Sequence, residues 1–378
     1  MKPMFCCLED GAVFEGRSVS EALECGGLLS FYTGVVGYQE VITDPANLGK
    51  IVVYTYPLIG NYGVNSADAE SASPKAAGIL AKEYPPYYSS FRAEGSLKDY
   101  LDAPRHPEPL PRHPELVEGS RSGAAPSRHT VSSGAAPSRQ AGTEAGHYEV
   151  RTVLGHCFDT RAMLLHMRER GEMGAVVGVE KLDAKSVRER VAHIKPPDYK
   201  PENAPVACAQ AKPLVKAEVI DFGASRSFYK HVADLGVDAT CKPEQADIVI
   251  VSDAPYYAVE DQTRIDLVQS HIGKKPVIGF GHGCAIAAKA CGAEVERLPF
   301  GDHGVNVPVR YFGGGRNEIT VQNDNYVVLP GGEIKGIFTN IHDGTCEGFA
   351  CKAAKTAGAN FLPNEAWFRA ILSEVGVA

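Results

Sequence analysis

The residues best suited to chemistry lie in Pro276–Gly292, PVIGFGHGCAIAAKACG. Val277 to Phe280 reads as a short buried strand, Gly281 and Gly283 punctuate it, and the Ala-rich run from Cys284 to Cys291 reads as a helix. A strand, a sharp glycine-flanked turn and a helix make a nucleophile elbow. In that geometry the middle residue of Gly-x-Nuc-x-Gly points into an open pocket, over a helix N-terminus that favours a thiolate or an oxyanion. Here the frame is Gly279-Phe280-Gly281-His282-Gly283, and the central Gly281 has no side chain to attack with. The plainer reading of G-x-G-x-G is a phosphate loop or a tight strand-to-helix turn. Cys284 is the substitute nucleophile, about one helical turn further on, with His282 and His303 as candidate bases. Attack geometry tolerates such a displacement poorly, and a small buried thiol in an Ala-rich helix is the commoner arrangement.

An elbow must be held by alternating strands and helices, and the C-terminal half has them. Glu218–Phe222, Ala246–Ser252 and Val277–Phe280 read as strands, with helices over Ser227–Leu235 and Asp261–His271 between them. That order predicts an α/β fold with a doubly wound parallel sheet, its site at the carboxyl ends of the strands. Both the elbow and Ser252-Asp253-Ala254-Pro255 fall there.

The N-terminal half reads instead as β-rich. Leu8 to Gly16 predicts two short strands around a turn, Ile51 to Tyr56 a strand ended by Pro57, and Val150 to Leu154 another. Thr160–Arg170 is an amphipathic helix with Met163, Leu164 and Met167 on one side, and Gly178–Val191 a second helical segment. Five prolines between His193 and Pro213 mark a linker. The predicted organisation is therefore a domain over 1–192, a linker over 193–213 and a second domain over 214–378. Residues 103–146 carry RHPE twice and SGAAPSR twice with almost nothing apolar, so they are expected to be a disordered repetitive insertion. Gly313-Gly314-Gly315 reads as a hairpin turn, and His342-Asp343 as structural.

Composition narrows the partners. A net charge of -8 argues against broad binding to nucleic acid or an anionic membrane. No apolar run approaches the ~20 residues that cross a bilayer, and MKPMFCCLEDG turns acidic too early for a secretory signal. The ten cysteines are scattered without zinc-ligand spacing, which points to reduced thiols in a cytoplasm.

Several long motifs closely resemble the small subunit of carbamoyl-phosphate synthase. Leu8–Gly16 matches its LEDG-x-x-F-x-G opening, Phe31–Pro45 its F-x-T-G-x-x-GYQE-x-x-TDP run, and Thr55–Asn65 its TYP-x-IGN-x-G-x-N run. The likeness resumes at Phe158–Arg161, Asp221–Ala224, Phe300–Gly304 and Phe338–Gly348, and it identifies the C-terminal half as a class I glutamine amidotransferase domain. In that family a thiolate attacks the glutamine side-chain amide, a His oriented by a Glu moves the proton, and backbone N–H groups hold the oxyanion. This chain departs at each part. The elbow G-x-C-x-G-H-Q has Gly281 for the Cys and keeps Gly283, but has Ala285 for the Gln. The oxyanion loop S-N-G-P-G reads Ser252-Asp253-Ala254-Pro255-Tyr256. Leu362 falls at the catalytic His, Glu365 survives one residue out of register, and Ala46 replaces a glutamine-contacting Ser after TDP.

The resemblance implies pairing with the ATP-dependent large subunit to make carbamoyl phosphate for arginine and pyrimidine pathways. ATP and Mg would belong to that subunit, leaving no cofactor or metal in this chain. The substitutions predict that glutamine hydrolysis is lost or impaired. Two alternatives stand beside this: an active glutaminase built on Cys284, and a scaffold repurposed to bind another ligand or partner.

Overall fold

The computed structural model describes residues 2–103, 151–195, 197, 199–210 and 212–377. The repetitive tract expected to be disordered lies, apart from Ala103, outside the described residues.

Among the described residues, seven strands close a barrel: β1 (Pro3–Leu8), β2 (Val13–Ser18), β3 (Cys25–Tyr32), β4 (Lys50–Tyr54), β5 (Gly78–Leu80), β6 (Val153–His156) and β7 (Gly174–Gly178), in the order β1-β2-β6-β5-β4-β3-β7. β3 to β6 pair in parallel, and β1 pairs antiparallel with β2 and β7. Alternate strand residues such as Met4, Cys6 and Leu8 point inward, since side chains change face at every residue. Helices α1 (Tyr38–Thr43), α2 (Leu97–Asp102), α3 (Thr160–Arg170) and α4 (Ala184–His193) surround it. α3 has the predicted bounds, with Met163 and Met167 buried against the barrel core. The predicted helix over Gly178–Val191 is corrected. Gly174–Gly178 is a strand buried at every residue, and α4 starts only after the Asp183 side chain accepts from Ser186 N at 2.8 Å. Five buried residues give no two-sided pattern, so β7 shows no period to read.

The C-terminal half is one mixed sheet. Its nine strands among the described residues are β8 (Val215–Ile220), β9 (Val237–Asp238), β10 (Ile248–Val251), β11 (Val277–Phe280), β12 (Glu294–Tyr311), β13 (Glu318–Leu329), β14 (Lys335–Asn340), β15 (Cys346–Cys351) and β16 (Thr356–Ala359). The order is β13-β12-β14-β15-β16-β11-β10-β8-β9, parallel from β16 to β9 and antiparallel from β13 to β16. The parallel part is doubly wound. α5 (Arg226–Asp234) and α8 (Glu365–Glu374) bury Phe228, Val232, Phe368 and Ile371 on one face. α6 (Gln262–Gln269) and α7 (His282–Ala290) bury Ile265, Val268 and Ile286 on the other. Gly313–Gly315 forms the predicted turn, between the antiparallel β12 and β13. No helix among the described residues is long and apolar enough to cross a membrane.

A candidate active site at a strand-to-helix elbow

β11 ends at Phe280 and α7 begins at His282, so one residue, Gly281, makes the whole turn. Its φ of 55° and ψ of -135° lie where an L side chain is strained, the backbone signature of an elbow. The turn is also tight. A Cβ on Gly283 would stand 2.1 Å from the carbonyl oxygen of Ser252, and one on Gly279 would stand 2.3 Å from that of Gly283. These glycines let α7 press directly on the end of β10.

That contact brings together two backbone N–H groups, from His282 at the start of α7 and Ala254 in the loop after β10. Such a pair could hold an oxyanion, but it is already occupied. Asp253 Oδ1 accepts from Ala254 N at 2.7 Å and from His282 N at 2.8 Å. His282 Nδ1 is 3.3 Å from the same oxygen. A Cβ on Gly281 would lie 2.3 Å from Asp253 Cγ, so the carboxylate also fills the space of an elbow side chain. A fixed negative charge there opposes both a thiolate and the oxyanion that attack would generate.

The elbow opens on a cavity of about 490 Å³, whose walls include Gly281, Asp253, Leu362, Asp44, His231 and Gln322. Burial, and then the neighbouring charge of Asp253, push the Asp44 carboxyl up to about 8, against a hydrogen bond from Ala46 N. His231 Nε2 is 2.8 Å from the carbonyl oxygen of Pro363. Gln322 is buried, and neither its Oε1 nor its Nε2 has a hydrogen-bond partner among the described residues.

Of the positions singled out in the sequence, Gly281 and Leu362 meet at this cavity, and Ala254 and Gly283 build the elbow beside it. His282 starts α7 at the elbow itself, and the others lie elsewhere. Cys284 is fully buried against β16, its thiol pushed well above the ordinary range by burial and by nearby Cys346 and Asp324. Ala285 and Ala46 are core residues. The Tyr256 ring centre lies 5.9 Å from Lys50 Nζ and 5.9 Å from Arg297 Cζ. Glu365 is an exposed first residue of α8, paired with Arg369 at 2.8 Å. His303 does not line the cavity but bonds to Glu172 and to Asn323, which does. Sequence reasoning passed over Asp253, Asp44, His231 and Gln322. Only Asp253 left a signal, a carboxylate where the S-N-G-P-G loop has an amide.

A doubly wound sheet with an elbow of this geometry is the arrangement expected of a class I glutamine amidotransferase domain, and residues 210–364 match the family model described as glutamine amidotransferase class-I. Residues 6–108 match the carbamoyl-phosphate synthase small chain, CPSase domain. The chain is 31% identical to the carbamoyl phosphate synthase small chain of Nitratidesulfovibrio vulgaris, over 94% of this chain and 92% of that one. It is 31% identical to the Symbiobacterium thermophilum small chain, over 91% and 88%. Against that of Aquifex aeolicus it is 28% identical, over 96% and 94%. The chain belongs to the carbamoyl phosphate synthase small chain family.

Proposed function

We propose that this chain is a small subunit that docks on an ATP-dependent carbamoyl-phosphate synthase large subunit but no longer hydrolyses glutamine. The complex would draw on free ammonia, and carbamoyl phosphate would feed arginine and pyrimidine synthesis. ATP and Mg would be held by the large subunit, and the assembly would be a cytoplasmic heterodimer. The division into domains at the proline-rich segment belongs to the same reading.

One observation supports the loss of glutaminase above the rest: Asp253 Oδ1 sits on the two N–H groups that would stabilise an oxyanion, beside a Gly281 that cannot attack. Oxyanion stabilisation is commonly the largest catalytic term, and a missing nucleophile and base compound its loss because such groups act as a unit. Cys284, fully buried and held in its thiol form, offers no route around them.

The test is ammonia release from glutamine, measured with the chain alone and with a carbamoyl-phosphate synthase large subunit. We expect co-purification with that subunit, synthesis supported by ammonia, and no synthesis supported by glutamine. Turnover of glutamine at an ordinary rate that Cys284→Ala abolishes would overturn the reading in favour of a relocated nucleophile.

A further inference from the structure

The elbow cavity has lost its anion cradle without being filled. Its walls carry three carboxyl groups, on Asp44, Asp253 and Glu318, and no Lys or Arg among the described residues. A buried cation, Lys50, stands near without lining the cavity: its Nζ donates to Asn325 at 3.0 Å and to Asn323 Oδ1 at 3.4 Å, and its charge reaches Asp44 and Asp253 with no ion pair to either among the described residues. Asp253 spends Oδ1 on the elbow N–H groups, and Oδ2 makes no hydrogen bond among the described residues. Asp44 likewise spends Oδ1 on Ala46 N and keeps Oδ2. Phe228, Phe361 and Trp367 contribute aromatic wall. The independent sign of a ligand is Gln322, whose buried amide lines the cavity with donor and acceptor both unsatisfied. Leaving a buried polar group without a partner is costly, so an occupant that satisfies this amide recovers that loss.

We propose that the cavity binds a small organic cation, an alkyl ammonium or guanidinium, between the free oxygens of Asp253 and Asp44, with Gln322 reading a polar group and the aromatic wall covering the carbon chain. Carboxylates favour the charge, and aromatic faces favour an organic cation over a hydrated metal ion. The substitution of a carboxylate into the oxyanion loop has inverted the sign of the site. This step goes beyond the loss of glutaminase, though both use the position of Asp253.

The experiment uses the full chain and agmatine, which carries both an ammonium and a guanidinium, with glutarate and L-glutamine as comparisons. Calorimetry above pH 8, where the Asp44 carboxyl has released its proton, should show saturable agmatine binding at one site and none of glutarate. Asp253→Asn and Asp44→Asn keep the oxygen that accepts the backbone N–H, so the fold is retained. Each should weaken agmatine about tenfold or more, as loss of a charge-assisted contact does. Glu365→Gln, an exposed carboxylate outside the cavity, should leave binding unchanged. The proposal is overturned if agmatine shows no saturable binding at millimolar concentration, if both Asn variants bind it as the wild type does, or if glutarate or glutamine binds more tightly. Glutamine hydrolysis measured on the same preparation separates the two claims, since its absence leaves the glutaminase reading standing whatever agmatine does.

Discussion

At the scale of single residues, the elbow is a glycine holding a shape made for a side chain. Gly281→Cys would reintroduce the nucleophile type but at φ 55°, with its Cβ 2.3 Å from Asp253 Cγ. Strain and collision together should cost about 1–3 kcal/mol, read as a lower Tm. Glutaminase should stay undetectable, because Leu362 supplies no base and Asp253 still fills the anion cradle. Recovery of an ordinary rate by this single change would show that the cradle is not blocked. Asp44 gives a pH prediction. Its carboxyl is raised from an ordinary 3.8 to about 8, so the folded state holds a proton that the unfolded chain releases. The stability this lends is full below pH 3.8 and is lost as pH rises towards about 8. Asp44→Asn removes the titration while keeping the acceptor for Ala46 N. Relative to wild type it should gain on the order of 5 kcal/mol between pH 4 and 8, seen in denaturant unfolding at a series of pH values. A constant difference across that range would count against a raised Asp44.

At the scale of elements, the site depends on how closely α7 approaches β10. Gly283→Ala would push a Cβ to 2.1 Å from the carbonyl oxygen of Ser252 and 2.7 Å from that of Val251, both backbone atoms that cannot swing aside. The helix must retreat, at about 1–3 kcal/mol or more, and thermal unfolding should come earlier. Ala at the exposed Gly314 meets no atom within 4 Å and serves as the comparison for side-chain bulk, though its φ of 96° adds strain of its own. An unchanged Tm for Gly283→Ala would mean that α7 is not seated as described. This is also where the sequence was most and least readable. The strand at Val277–Phe280 and the helix at Thr160–Arg170 carry their own pattern and boundaries, so they could be placed to the residue. β12, eighteen residues with Pro299, Gly301, Gly304 and Pro308 inside it, breaks its own pattern, and its register shifts against β13 twice. Those shifts are the bulges that such residues permit, and only pairing reveals them. Asp253 was half legible, a carboxylate in place of the loop's amide whose position the sequence does not give. Its neighbour in space, Gly281, is 28 residues away in sequence, and nothing local says that a carboxylate will fold back onto two N–H groups.

At the scale of the molecule, barrel and sheet meet through a buried polar network. Glu172, just before β7, places Oε1 2.7 Å from His303 Nε2 and accepts from Asn325 Nδ2 through Oε2 at 2.6 Å. Lys50 of β4 donates to Asn325, and Asn323 donates to Asn47 at 3.0 Å. Apolar contact accompanies it, with Phe31 of β3 stacked on Phe300 at 4.4 Å between ring centres. Burial alone would raise the Glu172 carboxyl, but the charge and hydrogen bond of His303 and the charge of Lys50 outweigh it and hold it below its ordinary range. Burial pushes the Lys50 ammonium down, and Glu172 is its strongest opposing charge. Each group is therefore tolerable in the interior mainly because the others are there. Glu172→Ala breaks the buried pair with His303 and removes the strongest of the negative charges around the fully buried Lys50, which for buried pairs costs about 3–5 kcal/mol, whereas Glu172→Gln keeps an acceptor and should cost less. Since the carboxyl is depressed, its contribution is present above the ordinary value of 4.5 and lost as pH falls below it, so wild type and Glu172→Ala should converge in acid. Calorimetry at neutral pH should show the wild type melting as one unit and Glu172→Ala melting earlier in two separated steps, as barrel and sheet unfold on their own. A single transition at the wild-type temperature would mean that the two halves are coupled through Phe31, Phe300 and the backbone bonds of Thr33 and Glu172, with the charged network a passenger.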